Sequence, residues 1–186
     1  MSSIAIQGNA SGAGVFTIAS PNSASSYTAT LPTQTGTLGM DGPAFSAYAS
    51  ATQSVTSNVS TKVAIDTENF DTNSCYDTTN YRFTPTVAGY YQVNGAIRLS
   101  ANATTITQAI VFIYKNGTST GVFSADNVAA TTITSYIVRG VSTVIYLNGS
   151  TDYIELYGSI TGTSPQFIVG SATATSYFSA SLVRGT

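Results

Sequence analysis

Apolar and polar residues alternate with a period of two over most of the chain beyond about residue 44. The clearest example spans residues 91–99, where one face carries Tyr91, Val93, Ile97 and Leu99. Side chains alternate across a β-strand, so this pattern predicts a strand with one face in a core. Further candidate strands cover residues 109–114, 136–147, 153–160 and 177–182. No segment keeps the helical period of about 3.6 residues over ten residues, and the pattern therefore predicts an all-β protein.

One candidate strand, at residues 109–114, is apolar on both faces. Ala109, Val111 and Ile113 alternate there with three further apolar or aromatic residues, Ile110, Phe112 and Tyr114. Turn-forming sequences separate the strands at 115–117, 148–150 and 162–165, which is typical of a sandwich or barrel. A sandwich strand needs only one buried face. We therefore expect both faces of this strand to be buried, the second in a subunit interface.

The first 42 residues have a different composition, rich in Gly, Ser, Ala and Thr. Two short candidate strands occur there, Val15–Ala19 and Tyr27–Leu31, separated by a turn around Pro21. This segment has too few apolar residues to form a core of its own. We predict two parts: an attachment or trimerisation arm at residues 1–42 and a head domain at residues 43–186.

Composition excludes several function classes. Charged residues make up 8% of the chain and the net charge is −2, against about 25% charged residues in ordinary globular proteins. No run of Lys or Arg occurs, so we expect no nucleic-acid partner. No apolar run is long enough for a bilayer, so we expect no membrane insertion. Histidine is absent, and the single cysteine, Cys75, has neither a disulfide partner nor a histidine base.

Acidic residues are the remaining candidates for chemistry. Asp66, Glu68, Asp71 and Asp77 form a loose cluster that is either a calcium site or a set of solvated loop carboxylates. Their spacing fits no EF-hand loop, so we favour solvated carboxylates that form Asx-turns. Glu68 and Glu155 are the only glutamates, and nothing in their spacing indicates the carboxylate pair of a glycosidase. We predict that the protein is not an enzyme and that it needs no metal or cofactor.

The sequence also resembles a known family. The pattern Ile65-x5-Asp71-x4-Tyr76-x6-Phe83-x5-Gly89-x-Tyr91-x-Val93 matches the spacing of the C1q signature. The resemblance covers about residues 43–185 and implies a C1q/TNF-like jelly-roll sandwich of about ten antiparallel strands, assembled as a trimer. It implies a structural core at Ile65, Tyr76, Phe83, Gly89, Tyr91, Val93 and Phe178. Ile65 and Val93 stand where the family usually has Phe, and Gly95 stands where an aromatic residue is common.

Aromatic residues line the trimer axis in this superfamily, and alternation divides the aromatic candidates of this chain. Tyr91 and Phe178 share strand faces with Val93 and Leu182, which assigns them to the core. The remaining candidates for the trimer interface are Tyr90, Asn94 and Tyr177.

The arm carries a second resemblance. Residues 8–18 (GNASGAGVFTI) and 31–38 (LPTQTGTL) are similar to segments of bacteriophage tail fibres and related virion appendages. This resemblance implies a virion structural protein. The N-terminus has no basic region followed by an apolar stretch, so we expect no signal peptide and synthesis in the host cytoplasm. Its arm would bind another virion protein and its head a host surface glycan or protein. The alternatives are a capsid head-fibre or decoration protein, a bacterial C1q-like binding protein and, least favoured, a glycan-degrading enzyme.

Overall fold

The structure, a computed structural model, describes residues 42–102, 106–127, 136–168 and 176–186. The predicted arm lies outside these ranges except for Gly42. Within them no helix long and apolar enough to cross a membrane occurs. The strands found there are β1 (Ala44–Tyr48), β2 (Gln53–Ser54), β3 (Thr61–Lys62), β4 (Thr67–Asp71), β5 (Tyr76–Asp77), β6 (Arg82–Phe83), β7 (Ala88–Ser100), β8 (Gln108–Lys115), β9 (Thr118–Asn127), β10 (Ile137–Asn148), β11 (Ile154–Thr161), β12 (Gln166–Phe167) and β13 (Tyr177–Gly185).

The strands form two antiparallel sheets. Sheet A has the order β2-β12-β7-β13-β1-β4, and β10 pairs with β7 along its whole length. Sheet B has the order β5-β6-β11-β8-β9, with β3 also paired to β11. The chain alternates between the sheets: β7 lies in sheet A, β8 and β9 in sheet B, β10 in sheet A and β11 in sheet B. This is the jelly-roll arrangement, and the predicted all-β sandwich is confirmed.

The core lies between the inner faces of the two sheets and is built around aromatic rings. Phe45 stacks on Tyr76 and on Phe83, with ring centroids 4.5 and 4.7 Å away, and meets Phe178 edge-on at 5.2 Å. Tyr91 is fully buried, and its hydroxyl donates a hydrogen bond to the Val87 carbonyl at 2.6 Å. Burial raises the pKa of Tyr91 to about 12. All seven signature residues named above are buried.

Gly95 shows why this chain departs from the family pattern at that position. A Cβ atom at Gly95 would lie 2.5 Å from Cδ1 of Leu156 in the opposite sheet. The Leu156 side chain therefore fills the space that a side chain at position 95 would need. An aromatic residue at this position would require Leu156 to move or to be replaced by a smaller residue.

Two details differ from the sequence-based expectations. Five of the thirteen strands in the described ranges are two-residue ladders, which alternation cannot reveal, so the strands outnumber the ten expected. In the single chain, only one face of β8 is fully buried. Ile110, Phe112 and Tyr114 are only partly buried, because they lie on the outer face of sheet B.

Candidate interaction surface

Exposed apolar side chains concentrate on the outer face of sheet A. Cross-strand pairing places Tyr90 opposite Tyr146, Val144 opposite Gln92, and Tyr177 opposite Ala96. Directly paired residues point to the same side of a sheet, so these side chains share one surface. We define the sheet A face by its exposed apolar members, whose relative exposures run from 38% to 53%: Phe70, Tyr90, Val138, Val144, Tyr146 and Tyr177.

A hydrogen-bonded polar group lies within the sheet A face. Nε2 of the Gln92 side chain donates to the Ser142 hydroxyl at 2.8 Å and to Oδ1 of the Asn94 side chain at 3.3 Å. The Ser142 hydroxyl in turn donates to the same Asn94 oxygen at 2.8 Å. Both hydrogen bonds use the side-chain oxygen of Asn94 and so fix the orientation of its amide group.

Lys115 fixes the end of the sheet A face near Tyr146. Its ammonium nitrogen donates to the Tyr146 carbonyl at 2.8 Å and lies 2.7 Å from Oδ2 of Asp152. Asp152 also accepts a hydrogen bond from the Asn116 side chain at 2.8 Å. The Lys115 ammonium and the Asn116 amide hold the pKa of the Asp152 carboxyl below its usual range.

The three residues predicted for the interface, Tyr90, Asn94 and Tyr177, all lie on the sheet A face. Their positions follow from strand alternation alone. Sequence reasoning missed four members of that face: Phe70, Val138, Val144 and Tyr146. Residues 136–147 were recognisable as a strand, but only the pairing of β10 with β7 assigns its outward side chains to the same surface.

The acidic cluster consists of separate loop contacts. Asp66 accepts hydrogen bonds from the Ser50 nitrogen at 2.8 Å and hydroxyl at 2.6 Å. Burial raises the pKa of Asp66, but these hydrogen bonds outweigh it and hold the pKa below its usual range. Asp77 accepts the backbone N–H groups of Thr79 and Asn80, each at 2.9 Å, which is an Asx-turn. In the described ranges, no three His, Cys, Asp or Glu residues are placed to hold a metal ion.

The two glutamates lie in different sheets. Glu68 is in β4 of sheet A, and Glu155 is in β11 of sheet B. Glu155 is 3% exposed and forms an ion pair with Lys62 at 2.5 Å. Cys75 is buried, and the two glutamates do not share a sheet.

Comparison with solved structures identifies the fold. No protein-family model matches the sequence, and no curated protein matches it. The globular domain of zebrafish complement 1qA protein superposes with a TM-score of 0.58 at 13% identity, over 78% of this chain and 100% of that one. Eiger TNF from S. frugiperda superposes with a TM-score of 0.55 at 12% identity, over 78% of this chain and 94% of that one. The chain has the C1q/TNF-like jelly-roll fold.

The C1q/TNF-like head confirms the fold that the signature spacing implied. Identities of 13% and 12% mean that the likeness lies in the course of the chain. The chemistry of the outer faces must therefore be read from the side chains of this protein.

Proposed function

We propose that this protein is a non-catalytic binding protein whose C1q-like head assembles as a homotrimer through the sheet A face. The observation that carries the proposal is the set of six exposed apolar side chains on that one face. Exposed apolar side chains that share one face of a sheet indicate an interaction site. The face carries three tyrosines and few charged groups, a composition typical of the buried part of protein interfaces. Its likeness to the C1q/TNF heads supports three copies.

The polar group of Gln92, Asn94 and Ser142 supports a specific assembly over loose adhesion. A polar group inside an apolar interface must be matched by hydrogen bonds from the neighbouring copy. The Asn94 amide donors are oriented by two hydrogen bonds to the Asn94 oxygen. This requirement favours one register between copies and disfavours the alternatives.

The first experiment is the solution mass of the full chain, by light scattering after size exclusion. We expect about three times the chain mass of 19.2 kDa. A matched pair of variants locates the interface: Val144→Lys on the sheet A face, where Val144 is 53% exposed, and Val59→Lys in a loop, where Val59 is 47% exposed. Val144→Lys should dissociate the assembly and Val59→Lys should leave it intact. A monomeric wild type, or equal effects of both variants, contradicts the proposal.

We further propose that the trimer is a virion appendage of a bacteriophage, attached through residues 1–42 to another virion protein. The resemblance of residues 8–18 and 31–38 to phage appendage segments supports this assignment. The head would then project outwards and bind a glycan or protein of the host surface. Three copies would raise a weak site affinity by orders of magnitude through effective concentration.

Gold-labelled antibodies against the head, viewed on particles by electron microscopy, test the virion assignment. Label at the tip of a tail structure is the expected result. Label distributed over the capsid instead favours the head-fibre or decoration alternative. Label confined to the bacterial cell surface, with none on particles, contradicts a virion role and favours the bacterial C1q-like binding protein.

A further inference from the structure

We propose that the outer face of sheet B binds a neutral polysaccharide by stacking sugar rings on a row of aromatic side chains. This inference rests on the proposed function, because it names the ligand class and the binding surface of the same head. We define the aromatic strip as Phe123, Phe112, Tyr114 and Tyr157. The strip lies on the sheet opposite to the sheet A face, so assembly through sheet A leaves it open to a ligand.

The strip runs without a break across three strands, β9, β8 and β11. Phe123 and Phe112 are 6.0 Å apart between ring centroids, Phe112 and Tyr114 are 6.2 Å apart, and Tyr114 stacks on Tyr157 at 3.9 Å. Phe123 is 57% exposed and the other three are partly exposed. Such a row offers apolar contact for the C–H faces of successive pyranose rings, and two tyrosyl hydroxyls for hydrogen bonds.

The charges beside the strip are paired with one another, which favours a neutral ligand. Glu155 faces Tyr114 across β11 and β8 and forms the ion pair with Lys62 at 2.5 Å. Arg82, opposite Glu155 in the sheet, lies 3.9 Å from Asp77. An aromatic row that binds single-stranded nucleic acid is combined with a surplus of positive charge. The charges described on this face, Lys62 with Glu155 and Arg82 with Asp77, carry no such surplus.

One end of the strip carries a buried acceptor, Oε2 of Glu155, that has no hydrogen-bond partner among the described residues. Nε of Arg82 is also buried without a hydrogen bond, although it lies 3.9 Å from Oδ2 of Asp77 in an ion pair. The two residues are direct neighbours across β6 and β11. Leaving such atoms unpaired is unfavourable, because each has lost its hydrogen bonds to water. A sugar hydroxyl donates and accepts at once, so it would match both atoms once the side chains that cover them move aside.

The experiment uses the full chain and soluble hexasaccharides of glucose, N-acetylglucosamine and mannose, titrated by calorimetry. We expect one of these neutral sugars to bind with one site per chain, and an acidic polysaccharide and single-stranded DNA to bind more weakly. Tyr157→Ala should weaken binding about tenfold or more, a loss comparable to that of one stacked base. Tyr157→Phe keeps the ring and should retain most of the affinity.

Two controls make the result interpretable. Circular dichroism must show that Tyr157→Ala is folded; if it is not, Phe123→Ser at the more exposed end of the strip takes its place. Tyr146→Ser on the sheet A face should leave the affinity for a hexasaccharide unchanged. It should remove the higher apparent affinity that three linked sites give for a long polymer. A trimer that binds none of the neutral sugars overturns this inference alone, as does preferred binding of DNA or an acidic polymer. A monomer that still binds through Tyr157 contradicts only the proposed assembly.

Discussion

Tyr90 and Tyr146 face each other directly across β7 and β10, with ring centroids 5.6 Å apart and ring planes inclined at 60°. Both remain well exposed, at 46% and 42%. An edge-to-face aromatic pair gains most when a partner surface excludes water from it. The pair therefore offers an aromatic anchor on the sheet A face to a second copy.

Tyr146→Ser should weaken assembly without unfolding the head. Truncation of an aromatic residue central to an interface costs about 2 kcal/mol or more, a change of about thirtyfold in affinity. In a dilution series followed by light scattering, we expect the variant to dissociate at a protein concentration about thirtyfold higher than the wild type. Tyr146→Phe keeps the ring pair and serves as the control. Unchanged mass over the whole dilution series would place the interface elsewhere.

Phe83→Ala should destabilise the head far more than Phe123→Ala. Phe83 is fully buried and stacks on Phe45, whereas Phe123 is 57% exposed on the outer face of sheet B. Removal of a buried aromatic ring costs about 3–5 kcal/mol, because it leaves a cavity. A substitution at an exposed site costs about 0.5 kcal/mol or less. Urea unfolding at fixed protein concentration measures both, and similar losses would show that the ring cluster is not the core.

Alanine substitution at two separate glycines, Gly149 and Gly121, distinguishes the cost of backbone conformation from the cost of close packing. Gly149 and Gly121 both have positive φ, at 72° and 77°. A Cβ atom at Gly149 would lie 2.5 Å from the Val87 carbonyl carbon, whereas a Cβ atom at Gly121 meets nothing within 4 Å. Gly121→Ala should therefore cost about 1 kcal/mol for conformation alone, and Gly149→Ala clearly more. Thermal melting of the two variants measures both losses of stability. Equal shifts in melting temperature would mean that the 148–151 turn moves freely to accommodate the added Cβ atom.

The strand alternation gives most of this fold because the period of two is a local property. It places Tyr91 and Phe178 in the core, and it directs Tyr90 and Tyr177 to the other side of their strands. Hydrophobic alternation and the signature spacing together were enough to predict the jelly-roll fold. Gly95 looked like a departure from the family, and only the position of Leu156 in the other sheet explains it.

The pairing of distant strands could not be predicted from these patterns. Tyr146 shares a surface with Tyr90 only because β10 pairs with β7 in one particular register. A shift of one residue would have directed Tyr146 into the core. The apolar second face of β8 predicted a buried surface. In the single chain, Phe112 and Tyr114 lie on the outer face of sheet B and stay partly exposed.

The head should lose stability in acid partly through Asp152. Its Oδ2 lies 2.7 Å from the Lys115 ammonium and accepts the Asn148 N–H at 3.1 Å. The hydrogen bond from Lys115, followed by that from Asn116, lowers the pKa of Asp152 in the folded protein below its ordinary value of 3.8. The unfolded chain therefore binds the proton more readily. Stability from this group is complete well above the ordinary carboxyl pKa and is lost progressively as the pH falls through the lowered pKa of the folded protein.

Asp152→Asn should make the acid limb of the stability profile shallower. The variant has no carboxylate to protonate, so its urea midpoint should fall less than that of the wild type between pH 5 and pH 3. Lys115→Met removes the largest cause of the lowered pKa and should flatten the same limb, and the double variant should add little further. All samples are compared at one protein concentration, because assembly contributes to the measured stability. An unchanged slope in Asp152→Asn would assign the acid sensitivity to the Asp66 and Asp77 loops, whose carboxyl pKa values are also lowered.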